Sequence, residues 1–268
     1  MKVLIFWDIY GRLWRKAISE NIWALREKYE PDFVIANIEN ATSGRGPISE
    51  HAEYIEWLWV DLMTGWDHIF DNGPSISNYF TSEKCKLIRP ANFYESDEFS
   101  LVWKGYKIIE KKWKRLLVLQ LLWEVFMSHK VSNPFHAAKK ILSEVDPSSY
   151  DAVVVDFHRE TTAEIYGLAH FLDGDISLIY GTHTHIQTND CHILKAWTGI
   201  IGDVGMNGPF EWVIGASFAS VKKRFLSWVQ RGKIEQQLSG KYKINAVFAE
   251  IDEVTKKCTS IEAISFTS

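Results

Sequence analysis

Cysteine is scarce in this 268-residue chain, which has only Cys85, Cys191 and Cys258. Far apart and odd in number, they argue against a disulfide framework and fit a reducing compartment. Long apolar runs are missing too. The longest, Leu116 to Trp123, is broken by Gln120 and falls well short of the ~20 residues that span a bilayer. No cationic segment with a cleavage site precedes Lys2-Val3-Leu4-Ile5-Phe6, so no signal peptide is expected and the chain reads as cytoplasmic. There is no excess of positive charge. A net charge of −4 argues against general nucleic-acid binding and leaves room only for a local basic groove. Internal repeats, low-complexity segments and linkers are absent, so residues 1–268 read as one domain. With 46% hydrophobic and 24% charged residues, the chain has the makings of an ordinary core. Its totals leave both a monomer and a homo-oligomer open.

What is present is an alternation of short apolar runs and helical periods, the pattern of an α/β protein. Residues 2–7 read as a buried strand ending at Asp8, and Arg12 to Lys28 as a helix. Residues 33–38 form a second strand, ending at Glu39-Asn40. A helix follows from about Ser49, itself a plausible cap, then a strand over 60–64 ahead of Asp67-His68. Asp71-Asn72-Gly73-Pro74 opens a short helix. Residues 105–110 and 115–121 read as an antiparallel pair across Lys111 to Lys114. A helix over 134–145, a strand at 152–155 leading to Asp156-Phe157-His158, and a helix over 161–172 come next. The strand at 175–180 runs into Gly181-Thr182-His183-Thr184-His185. Thr198 to Gly202 is a short strand, Phe218 to Val229 a helix, and 234–238, 244–251 and 259–264 read as antiparallel strands.

His183 and His185 stand at i and i+2, a spacing that points both rings to one face in extended backbone. Alone they could be two solvated loop histidines. They are not alone: Asp8, Glu39-Asn40, Asp67-His68, His158 and His183/His185 each come after a separate apolar strand. In α/β sheets ligands bind outside the carboxyl ends of strands, so these five ends can converge. A lone Asp there is usually a cap and a lone His a satisfied core residue, but five ends agreeing is a stronger pattern. Carboxylate, amide and imidazole together suit two borderline divalent ions such as Mn²⁺, Fe²⁺ or Zn²⁺ better than one structural zinc. Two ions ~3.5–4 Å apart need a bridging carboxylate, and Glu39 is the natural one.

Asp8-Ile9-Tyr10-Gly11, Glu39-Asn40-Ala41, Thr64 to His68, Asp156-Phe157-His158, Gly181 to His185 and Asp203-Val204-Gly205-Met206 resemble, in order, the motifs of the calcineurin-like metallophosphoesterases. The specific resemblance is to the bacterial YmdB-like family of cyclic-nucleotide phosphodiesterases, and it covers nearly the whole chain. It implies a four-layer αββα sandwich with two mixed sheets. It also implies two divalent or mixed-valence metal ions (Fe, Mn or Zn), one held by Asp8, Glu39, Asn40 and His185 and the other by Glu39, Asp67, His158 and His183. His68 would stabilise the transferring phosphoryl group or protonate the leaving oxygen. The implied activity is hydrolysis of phosphodiesters, 2′,3′-cyclic nucleotides among them. General chemistry agrees, since a metal-bound hydroxide can attack phosphorus in line while a protonated imidazole assists the leaving oxygen. Asp71, Asp156 and Asp203 are candidates to orient the ligand histidines, with no pairing assigned. Arg45 could meet a phosphate or be a solvated loop side chain. A metal-binding regulatory protein with little turnover, or a phosphomonoesterase or nuclease on the same fold, is the competing reading.

Two features depart from the family pattern. Asp67 stands where the family has asparagine; its extra negative charge should tighten metals and weaken attraction for an anionic substrate. The chain also carries twelve tryptophans. Trp7, Trp14, Trp59, Trp66, Trp103, Trp123, Trp197 and Trp212 fall where the family leads one to expect glycine. Trp23, Trp113 and Trp228 fall where glycine would be tolerable, and Trp57 fits neither group. An aromatic-rich core is one explanation. The other is a UGA codon meant as glycine and read as tryptophan. In that case Trp7 and Trp66 should crowd the site and be held at a positive φ that an indole disfavours.

Overall fold

The computed structural model describes residues 1–42, 44–66, 68–94, 104–123, 125–127, 129–211, 213–227, 234–236 and 238–268. Among these, the first sheet opens with β1 (Lys2–Phe6), β2 (Phe33–Asn37), β3 (Leu62–Thr64) and β4 (Leu87–Ile88). The chain then crosses to a second sheet of β5 (Tyr106–Lys111), β6 (Lys114–Leu122), β7 (Ala152–His158), β8 (Leu178–Thr182), β9 (His192–Ile193) and β10 (Gly199–Ile201). It returns with β11 (Gly208–Pro209), β12 (Tyr242–Ile251) and β13 (Cys258–Thr267). The first sheet has the order β11-β12-β1-β2-β3-β4, with β13 beside β12, and the second β5-β6-β7-β8-β10-β9. Both are mixed: β1, β2, β3 and β4 run parallel while β12 is antiparallel to β1, and β6, β7, β8 and β10 run parallel while β5 is antiparallel to β6.

Period-two alternation decides which residues lie between the sheets. In β1, Val3 and Ile5 face the second sheet and join Phe33, Ile35, Leu116, Val118, Val154 and Leu178 in the central layer. Leu4 and Phe6 face outward and are covered by α1 (Trp14–Tyr29), α2 (Ser49–Trp57) and α3 (Gly73–Phe80) through Ile18, Ile22, Ile55 and Ile76. On the far side Leu117, Leu119, Val153 and Val155 pack under α4 (Pro134–Glu144) and α5 (Thr162–Phe171). A sixth helix, α6 (Phe218–Leu226), comes after β11. Strands buried on both faces thus yield the expected four layers, αββα. Among the described residues no helix is long and apolar enough to cross a membrane.

Several local expectations change. Ile48, not Ser49, occupies the cap position of α2, and the Ser49 hydroxyl donates instead to the Ser75 carbonyl at 2.8 Å. Of the expected strand over 234–238, the described residues 234–236 and 238 form none; Gln236 makes a single bridge to Ala216, and residue 237 lies outside the described residues. Strand β8 sits later than expected and ends at Thr182. His183 and His185 therefore lie beyond it, with φ of +112° and +66°. Two left-handed bends, and not strand alternation, aim their rings.

The tryptophans divide into groups. Trp59, Trp113 and Trp197 have φ of +65°, +68° and +78° and are 61%, 92% and 49% exposed. Each occupies a place built for glycine. Trp59 lies just past the cap of α2, its amide donating to the Glu56 carbonyl, where a left-handed residue ends a helix. Trp113 and Lys112 (φ +51°) are the two residues between paired Lys111 and Lys114 of the β5–β6 hairpin, a turn that needs positive φ twice. Trp197 turns the loop between β9 and β10, its amide donating to Leu194. Trp14, by contrast, suits its position, its buried indole donating to the Ala41 carbonyl at 2.9 Å. Trp7 and Trp66 are fully buried with ring centroids 5.3 Å apart. Neither has the positive φ expected of it; in this stretch it is Asp8 that is left-handed, at +36°. Trp103, Trp212 and Trp228 lie outside the described residues.

Candidate active site

Parallel β1, β2, β7 and β8 end at one edge of the sandwich, and the residues just past their ends meet there. Glu39, Asn40, His68, His183 and His185 line a single cavity of about 340 Å³, together with Glu160, Thr184 and Ile214. Asp8 and His158 are fully buried behind it. The His185 Nε2 contacts Asp8 Oδ2 directly, and the His158 and His183 rings meet edge-on at 4.6 Å. Asn40 Nδ2 donates both to Asp8 Oδ2 at 3.0 Å and to Glu39 Oε1 at 3.1 Å, so one amide ties two buried carboxylates together. Asp67 lies outside the described residues. A larger hollow of about 570 Å³, between Arg89 and α4, contains none of the candidate residues.

The electrostatics reflect burial. Desolvation, reinforced by the neighbouring His183, pushes His158 well below the ordinary imidazole pKa, so it is neutral. Burial also pulls His185 down, but the Asp8 carboxylate and the Ile214 carbonyl outweigh it and the net shift is upward. Asp8 Oδ1 is buried and has no hydrogen-bond partner among the described residues. A buried carboxylate oxygen without a donor is costly unless a cation faces it.

The three proposed orienting aspartates behave differently. Asp71 Oδ2 accepts from Nδ1 of His68, which is not among the proposed ligand histidines, at 2.9 Å. Asp156 accepts from the Thr64 and Thr182 hydroxyls. Asp203 accepts from the Thr184 amide at 2.9 Å and hydroxyl at 2.8 Å. It fixes the loop between the two histidines and not either ring. Buried Arg159, beside Asp203 at 3.7 Å, donates to the Gly202 carbonyl beneath the same loop. Arg45 is exposed and does not line the cavity. Glu160 was missed by sequence reasoning, although a carboxylate two residues past His158 at a strand end was a visible signal.

The donor chemistry suits borderline divalent ions, with oxygens from Asp8, Glu39 and Asn40 and nitrogens from His158, His183 and His185. Among the described residues these groups are not already closed into a cluster of three or more around one point. The imidazoles are turned to other partners: His185 to Asp8, His183 to Glu160 at 2.8 Å, and His158 against the Trp66 ring at 4.0 Å. Trp7 and Trp66 carry buried indole N–H groups with no partner among the described residues. They occupy space directly behind the candidate ligands.

Two mixed sheets flanked by helices, with polar residues converging beyond the parallel strands, define a metallophosphoesterase-type fold. The chain belongs to the YmdB-like protein family, whose model matches residues 4–264. It is 32% identical over 265 residues to the 2′,3′-cyclic-nucleotide 2′-phosphodiesterase of Bacillus subtilis, covering 98% of this chain and 96% of that one. A crystal structure of a novel phosphatase from Mycoplasma pneumoniae superposes with a TM-score of 0.90 at 31% identity, covering 100% of this chain and 93% of the other. A hypothetical protein from Thermus thermophilus superposes at 0.89 with 29% identity, covering 100% and 99%.

Proposed function

We propose that the protein is a dinuclear metal-dependent phosphodiesterase acting on 2′,3′-cyclic nucleotides or related small phosphodiesters, in the cytoplasm. It is a hydrolase of phosphoesters, as its family relatives are named. The observation carrying the finer reading is the convergence of Glu39, Asn40, His68, His183 and His185 on one cavity in front of buried Asp8. Asp8, Glu39, Asn40 and His185 would hold one ion, and Glu39, Asp67, His158 and His183 the other, as iron, manganese or zinc. Such ions supply Lewis acidity to the phosphoryl oxygens and to the attacking water.

The chain's own groups do the rest. Neutral His158 offers a nitrogen lone pair and not a competing positive charge. Asn40 keeps the Asp8 and Glu39 carboxylates from swinging apart. Asp71 engages Nδ1 of His68, so Nε2 is the nitrogen through which His68 would meet the substrate. Protonated there, it would donate to the leaving 2′- or 3′-oxygen or stabilise the equatorial charge of the phosphoryl group.

The packing of Trp66 on His158 favours a second reading, a metal-binding regulatory protein with little turnover. Manganese-loaded protein given 2′,3′-cyclic AMP and an aryl phosphodiester separates the two. Hydrolysis well above a His68→Ala control supports the enzyme; equal rates in both would leave the regulatory reading.

A further inference from the structure

Glu160 belongs to none of the proposed ligand sets, yet it lines the same cavity and pairs with one of the candidate ligands. Its Oε2 lies 2.8 Å from Nε2 of His183. The two residues come from neighbouring strand ends: β7 closes at His158, β8 at Thr182, and those two residues are register partners. Glu160 thus reaches across from one strand end to a ring on the next. That ring needs an outside constraint, because His183 has a φ of +112°, off the extended geometry that would otherwise set its direction.

A carboxylate 2.8 Å from an imidazole nitrogen accepts a hydrogen bond from that nitrogen's N–H. In the neutral ring one nitrogen carries hydrogen and the other a lone pair, so the carboxylate selects the tautomer. We propose that Glu160 is a positioning residue, holding His183 as the Nε2–H tautomer so that Nδ1 is the nitrogen offered to a metal ion. This role rests on the proposed metal site. A carboxylate behind a ligating imidazole also raises the ring's basicity, and loss of such a partner typically weakens metal binding about 10–100-fold.

Long-range ¹⁵N–¹H correlation spectra of metal-free protein at about pH 8, where imidazole is neutral, read the tautomer directly. The His183 signals are assigned by their loss in a His183→Gln variant. The expected result is Nε2–H in the wild type, a tautomer mixture in Glu160→Ala, and substantial recovery in Glu160→Gln, whose carbonyl oxygen can still accept. In parallel, calorimetric Mn²⁺ titration should show one of two affinities falling about 10–100-fold in Glu160→Ala, and less in Glu160→Gln, with two ions still bound. Nδ1–H in the wild type, or unchanged affinities in Glu160→Ala, overturns the assignment. Loss of one whole equivalent in both variants also overturns it, since Glu160 would then be a ligand. Wild-type protein that takes up no Mn²⁺ ends the metal reading instead, while the tautomer comparison still decides what orients His183.

Discussion

Replacing Trp113 by glycine should stabilise this protein, although glycine usually does the reverse. Trp113 and Lys112 form the two-residue β5–β6 turn with φ of +68° and +51°. A non-glycine residue in left-handed backbone costs about 1–2 kcal/mol. Glycine removes that cost but gives the unfolded chain more freedom, worth about 0.4–1 kcal/mol in the opposite sense. Because Trp113 is 92% exposed, truncating it forfeits almost no packing. The balance is a gain of about 0.5–1 kcal/mol, or roughly 2–4 °C in Tm per kcal/mol for a chain of this size. Reversible urea unfolding followed by circular dichroism would measure it as a higher midpoint at unchanged slope. Trp113→Ala is the control, since alanine removes the exposed indole but keeps the left-handed penalty. A midpoint that does not rise in Trp113→Gly, or rises equally in Trp113→Ala, would refute the conformational argument.

Trp59→Gly should act in the same direction through the helix end, less strongly because Trp59 packs edge-on against Trp23 at 6.4 Å; thermal melts of the single variant would show it. Trp66→Gly should destabilise the metal-free protein by about 3 kcal/mol or more, as large buried truncations do, yet raise Mn²⁺ uptake by freeing His158. A melt paired with a titration checks both, and lower uptake would contradict the crowding argument. Burial pushes the Asp203 carboxyl up to about 6 from an ordinary 3.8, against the pull of Arg159 and its backbone donors. The folded state then holds this proton more tightly than the unfolded chain. The resulting stability is full below about pH 4 and is lost as pH rises through about 6; Asp203→Asn should flatten that part of the stability–pH curve. His68→Ala should lower turnover about 10²–10⁴-fold while metal content by elemental analysis stays level. If glycine is the intended residue at the tryptophan positions, protein isolated from its native host will have an intact mass below that of the twelve-tryptophan chain. A mass equal to it would remove the codon explanation.

Much of the architecture was legible because strands buried on both faces are continuous apolar runs and helices repeat every three or four residues. The central strands β1, β2, β6 and β7 fell close to their expected places for that reason. The polar residues that end them were equally visible, since a carboxylate or imidazole directly after an apolar run stands out without knowing the fold. Residues 234–238 misled because a short apolar segment carries the same periodic signal whether or not a partner strand is available.

The order of residue types along the chain was therefore sufficient to put Asp8, Glu39 and Asn40 at the carboxyl edge of one sheet and His158, His183 and His185 at that of the other. Parallel strands joined by crossovers point their carboxyl ends the same way within a sheet, and the stacking of the two sheets then brings those two edges together. Only the tertiary structure could say that Glu160 meets His183, that Asp203 holds a loop and not a ring, or that Trp113 and Trp197 sit in left-handed turns. Those outcomes depend on backbone angles and on distances of a few ångströms between segments remote in the chain. Local sequence pattern encodes the direction of a strand, but not the torsion of the residue just past its end.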